Sequence, residues 1–211
     1  MYPGISVQMI NGFNKMAESE AHLAKCLGRH TMTEMWADPF TPYHLKNTLD
    51  HLTDYKNARL CSESAQENFM AALSSQTADS TFIKTMLVNT RLLNYTATRF
   101  IWARTIVDRW NWIYKYKTTG KKDDSRFNDI NSSAHGLTAD LMDFCTELRE
   151  EYKQAWLSEN MSYRMGTMTG RFDSEYLFWR NWYNRLVDYN KHYNINDSNL
   201  KFEDLFLKTQ H

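Results

Sequence analysis

Met86, Leu93, Phe100, Val107 and Tyr114 recur every seven residues, and Leu87, Ala97, Ile101 and Trp110 widen their line into a stripe. No other feature constrains the fold of this chain as tightly. A seven-residue apolar period marks an α-helix with one covered side. Neither Pro nor Gly interrupts it between Ser80 and Thr118. At 1.5 Å per residue such a helix is on the order of 60 Å long. Standing alone it would leave its whole apolar stripe in water, so it has to lie along other helices of comparable length. An antiparallel bundle is the simplest solution.

The rest of the chain supplies those neighbours. Ile5, Met9, Met16, Leu23 and Leu27 give a first helix from about residue 5 to Leu27, with Gly28 as its stop. After the loop RHTMTEMWADPF, Thr41 is an N-cap and Pro42 takes the first helical position, where its missing N–H costs nothing. A second helix then runs to about Leu73, with Leu45, Leu49, Leu52 and Tyr55 on one face. The long stripe is the third. A fourth, blurred at its start by NSSAHG, carries Leu137, Leu141, Phe144, Leu148 and Tyr152. A break from Asn160 to Gly170 follows, and Asp173 or Ser174 caps a fifth helix from Glu175 to about Tyr189. The tail is a loop with a short docked segment. The expected fold is all-α: one domain over residues 1–211, a bundle of about five mostly long antiparallel helices.

Composition excludes several functions. Twenty-five basic and 25 acidic residues cancel to a net charge of zero, whereas a nucleic-acid binder needs a basic excess to displace phosphate counterions. The one basic cluster, KYKTTGKK, runs straight into Asp123 and Asp124 and reads as a solvated helix end. No apolar run approaches the ~20 residues of a membrane span. Cys26, Cys61 and Cys145 are odd in number and widely spaced, which points to free thiols and neither a zinc site nor a disulfide framework. The N-terminal MYPGISVQM lacks a signal peptide's basic and apolar regions, so the chain is either cytoplasmic or an excerpt whose targeting signal lies elsewhere.

A search for catalytic equipment yields none. Bundle dimetal sites need Glu-x-x-His on two helices, and that spacing is absent. His22 with Glu18, and His51 between Asp50 and Asp54, are the nearest approaches, and both read as surface pairs. Gly166 and Gly170 lack the lysine–serine sequel of a phosphate loop, and no Gly-x-Ser-x-Gly elbow presents a nucleophile. The expectation is no catalytic residue, no metal and no cofactor.

What remains is aromatic. The corner YKQAWLSENMSYRMG, residues 152–166, leads into FDSEYLFWRNWYNRL, where Phe178, Trp179, Trp182, Tyr183 and Leu186 surround most of a helix. Trp156 stands just before the break. Three roles are open to these rings: core or intramolecular interface, a platform for sugar faces, or contact with a partner protein. Each buried ring removes ~150–250 Å² from water, several kcal/mol at ~25 cal/mol per Å².

Three stretches, DPFTPYHLKNTLDHLTDYKNARLCSESAQENF, KTMLVNTRLLNYTATRFIWAR and LREEYKQAWLSENMSYRMGTMTGRFDSEYLFW, follow one another over roughly residues 38 to 190. Together they resemble the helical region after the catalytic barrel in bacterial β-N-acetylhexosaminidases of glycoside hydrolase family 20. The most specific part is a charged helix ending Trp-Leu-x-x-Asn, a short irregular link, and a helix with an aromatic start. The resemblance implies an adjacent Asp-Glu pair on the barrel, where one carboxyl protonates the leaving oxygen and its neighbour orients the substrate's acetamido group. This chain has no Asp-Glu dipeptide and no strand–helix alternation, so no catalytic residue carries over. The implied partner is a catalytic domain on the same parent chain, with amino-sugar glycans reached through that parent and a periplasmic or secreted location. On this reading the aromatic corner, with Trp156, Phe178, Trp179, Trp182 and Tyr183, braces the bundle or packs on the barrel. The alternative is a free-standing bundle that binds a partner protein or a small apolar ligand, for which eleven methionines are suited by their flexibility. A self-contained metalloenzyme comes third.

Overall fold

The fold is seen in a computed structural model that describes residues 6–28, 31–75, 80–117, 124–132, 136–160, 162–192 and 202. Of the described residues 89% are helical and none is in a strand, so the chain is all-α. In chain order the helices are α1 (Val7–Leu27), α2 (Thr31–Glu34), α3 (Pro42–Asp50), α4 (Leu52–Ser74), α5 (Ser80–Lys117), α6 (Asp124–Asn131), α7 (Leu137–Glu159) and α8 (Met165–His192).

The heptad stripe is the axis of the molecule. On one side α5 packs against α4, which packs against α1; on the other it packs against α7, and α7 against α8. The pairs are antiparallel. Phe69, late in α4, meets Met9 and Gly12, early in α1, while Tyr55, early in α4, shares a cluster with Leu23 and Cys26, late in α1. Along the other seam Thr85 donates to Glu159, and six residues on Arg91 clamps Glu147 and Glu151. The Arg91 guanidinium also lies over the Phe144 ring, so the α5–α7 seam is fixed by charge and by packing.

Helix ends follow local chemistry. The Met9 N–H donates to Ser6 Oγ at 3.2 Å, and the His44 N–H to Thr41 Oγ1 at 3.2 Å, with Pro42 opening α3 as expected. Gly28, at φ 72°, ends α1 in a conformation that L side chains avoid. Gly12 serves a different purpose. It lies inside α1, where an added Cβ would stand 2.8 Å from the Phe69 ring, so its absent side chain lets α4 approach. Gly170 also lies inside a helix, α8, but an added Cβ there meets nothing within 4 Å. Gly170→Ala is therefore expected to raise stability by ~0.4–1 kcal/mol. Gly12→Ala should lower it, because ~1–3 kcal/mol of overpacking outweighs the ~1 kcal/mol helix gain. Urea denaturation midpoints of the two variants would move in opposite directions.

Three boundaries differ from the sequence reading. The second helix is two: His51, at φ −114° and ψ 23°, interrupts it between α3 and α4. The face expected to run from Leu45 to Tyr55 is split by that bend, which leaves Leu49 53% exposed while Tyr55 is buried. The region blurred by NSSAHG resolves into the separate helices α6 and α7. The last helix starts ten residues early, at Met165, so Asp173 and Ser174 are interior residues and not caps. Ser174 Oγ donates back to the Gly170 carbonyl at 2.9 Å, and Asp173 pairs with Arg149 of α7 at 2.7 Å. Two glycines read as breakers are carried through because Phe172 packs between Trp36 and Tyr152 and fixes this first part of α8. The corner shrinks to a few residues, with Arg164 at φ 63° and its guanidinium over the Tyr163 ring. Most of the tail lies outside the described residues; Phe202, which is described, is buried.

All three cysteines are free. Burial pushes the thiols of Cys26 and Cys145 up to about 12. At pH 8 that leaves about one thiolate in 10⁴, and the thiolate is the reactive form. Cys61 is only partly buried, beside Glu18 at 3.6 Å, and is also raised. Native protein is expected to release one equivalent of thionitrobenzoate slowly, from Cys61, and three at once in denaturant. A second fast thiol would mean that the core opens readily.

Candidate functional site

The largest buried side chains include one that is charged. Arg99 is 1% exposed, and the position belongs to a second heptad line on α5 whose other members are the buried Leu92, Ile106 and Ile113. Its partner, Glu175, is 5% exposed and occupies a core register of α8, in the series Phe172, Glu175, Trp179, Trp182, Leu186. Each helix thus places a charge where its own periodicity demands an apolar group.

The two charges satisfy one another. Arg99 Nε donates to Glu175 Oε1 at 2.8 Å and Nη2 to Oε2 at 3.1 Å, a bidentate pair. Nη1 donates to the carbonyls of Met35 at 2.6 Å and Ala37 at 2.8 Å, which ties the link between α2 and α3 to the bundle. Glu175 Oε1 also accepts from Tyr95 Oη at 2.9 Å and from the Trp179 indole at 2.7 Å. Burial and the neighbouring Glu175 hold the Tyr95 phenol well above its ordinary range, so it stays protonated, donating to Glu175 while its oxygen accepts from the Trp179 indole at 3.0 Å. Buried charges are tolerable when paired and hydrogen-bonded in this way.

Above this pair opens a cleft of ≈ 650 Å³, between the α2–α3 link and the first turns of α8. Its walls are Trp36 and Phe178; Thr33, Thr167 and Ser174 supply hydroxyls, and Asp38 and Arg171 one charge of each sign. A second groove, of ≈ 670 Å³, lies over α5 between α4 and α7, with Met70, Leu87, Val88 and Ala155 among its lining.

The five singled-out aromatics do not share one surface. Trp179 and Trp182 are buried, the first in the Glu175 network, the second between Phe40 and Phe202. Phe178 is half-buried and walls the cleft; Tyr183 is half-buried, and its carbonyl accepts from Asn131. Trp156 lies apart, stacked on Tyr152 at the α7 end. Trp36, which the sequence reading left in a loop, is the other wall of the cleft. Its signal was faint: a lone Trp beside the Asp-Pro that leads into α3.

The histidine pairs fall elsewhere. His22 Nδ1 lies 2.8 Å from Asp54 Oδ1, and His51 lies 3.7 Å from the other oxygen, so Asp54 joins α1 to the start of α4. The His22 hydrogen bond holds the Asp54 carboxyl below its ordinary range. Among the described residues no group of three His, Cys, Asp or Glu side chains has metal-binding geometry, and no helix is long and apolar enough to cross a membrane. His44 is buried against Phe100, its Nδ1 without a partner among the described residues, and burial lowers its pKa. A lowered folded pKa means that the unfolded chain takes up the proton first, so stability is lost as pH falls below ~6.5. The urea midpoint should therefore drop from pH 7.5 to 5.5 by more in the native protein than in His44→Gln. Comparison with protein-family models, with curated proteins and with solved structures finds no match for this chain.

Proposed function

We propose that this chain is a non-catalytic helical accessory domain of a glycoside hydrolase of the β-N-acetylhexosaminidase type, which packs on a catalytic barrel of the same polypeptide. The succession of sequence stretches that resemble that family supports the reading; they fall on α3–α4, on α5 and on the α7–α8 hairpin. The observation that carries it is that this hairpin leaves apolar side chains in water: Leu157 is 41% exposed, Tyr163 74% and Leu177 52%. A large covering domain would remove these side chains from water. The buried charged pair suits the same role, because Arg99 and Glu175 hold three segments of the fold together.

The test is the mass of the native gene product, by immunoblot of the source cell with an antibody raised against this chain. A band several-fold heavier than 25.0 kDa is expected. A band at that mass would overturn the accessory-domain reading. It would favour the second one, a free-standing bundle that binds a small apolar ligand, for which the groove over α5 with Met70, Leu87 and Val88 is the supporting feature.

A further inference from the structure

We infer that the cleft above Arg99 and Glu175 binds a neutral sugar ring. It is built wholly from this chain's residues, so the inference does not rest on the accessory-domain reading. Trp36 and Phe178 bring two aromatic groups to one cleft, and an aromatic face takes the row of C–H bonds on the apolar side of a pyranose. Hydroxyls of Thr33 and Thr167 line the remainder, able both to donate and to accept as sugar hydroxyls do, and Ser174 Oγ, which donates to the Gly170 carbonyl, can accept.

The floor adds a fixed donor beside a fixed acceptor. Arg99 has five N–H groups, of which four are engaged: one from Nε, two from Nη1 and one from Nη2. One Nη2 hydrogen is left over. Next to it Glu175 Oε2 accepts a single bond, from Nη2, whereas Oε1 takes three. Both residues line the cleft, and the rest of the network keeps them in place.

Other ligand classes fit less well. Asp38 offsets Arg171, and Glu175 offsets Arg99, so the cleft has no net positive charge to attract a phosphate. A purely apolar ligand would desolvate the Thr33 and Thr167 hydroxyls without giving them partners. A neutral pyranose matches both the aromatic walls and the hydroxyl rim.

Calorimetric titration of the purified chain with chitotriose and with maltotriose tests this. Gly170 lines the cleft and has open space where a side chain would begin, so Gly170→Trp fills the cleft without disturbing the core. Saturable binding of either sugar is expected, weakened at least about tenfold in Trp36→Ala and in Gly170→Trp, as for loss of a central aromatic contact. Trp36 also packs on Phe172. If Trp36→Ala fails to fold, Gly170→Trp, checked by its melting midpoint, decides alone. Absence of saturable binding, binding unchanged in Gly170→Trp, or binding of ATP in place of both sugars would overturn the inference. A native band at 25.0 kDa would remove the accessory-domain reading and leave this one standing.

Discussion

Glu175→Gln is expected to cost about 3–5 kcal/mol, enough to remove much of the stability of an ordinary domain. The substitution changes shape very little. What it removes is the countercharge of a guanidinium that is 1% exposed and cannot turn to water, since Nη1 is held by two carbonyls. Tyr95 and Trp179 would at the same time donate to a weaker, neutral acceptor. Arg99→Met should cost a similar amount from the other side, by leaving Glu175 buried and freeing the Met35 and Ala37 carbonyls. The double variant Arg99→Met/Glu175→Leu should be more stable than the sum of its own singles, Arg99→Met and Glu175→Leu, implies, because two apolar groups need no compensation. Urea denaturation of the parent and these variants measures this directly. Single variants within about 1 kcal/mol of the parent would show the pair to be solvated in solution.

This pair also marks the limit of what the sequence revealed. Apolar periodicity located the long α5 closely, because thirty-eight residues of one helix repeat the same signal. Thr41 and Pro42, and Gly28, were readable for the same reason: each acts on backbone within its own turn. Arg99 was not read, although its heptad relatives Leu92, Ile106 and Ile113 are all apolar and a charge among them is anomalous. What neutralises that charge lies 76 residues away in the chain. Glu175 was taken for a first-turn residue of a helix that in fact starts at Met165, so its core register was hidden. The cleft was harder still. It joins a loop tryptophan to one side of α8, and no local pattern relates positions 36 and 178. The His51 bend has no Pro or Gly to announce it, and the pull on α3 comes from packing against α5.

The same argument gives the second large effect, at Phe40. Two aromatic residues stand three apart in DPFTPY, and their local signals are alike: both flank the Thr41–Pro42 helix start. Phe40 is 1% exposed, its ring centroid 4.4 Å from that of Trp182, 5.2 Å from Phe202 and 5.7 Å from Trp179. Tyr43 is 70% exposed. Phe40→Ala should therefore cost about 3–5 kcal/mol, the transfer free energy of the ring plus a cavity that these three rigid neighbours cannot collapse to fill. Tyr43→Ala should stay within about 0.5 kcal/mol of the parent. The Phe40 loss should also fall on α8 first, since Trp179 and Trp182 both face the vacated space, and amide exchange there should rise before it rises in α1. Equal effects at the two positions would mean that the α2–α3 link does not hold the aromatic side of α8, and that the cleft it walls is not a fixed feature of the folded chain.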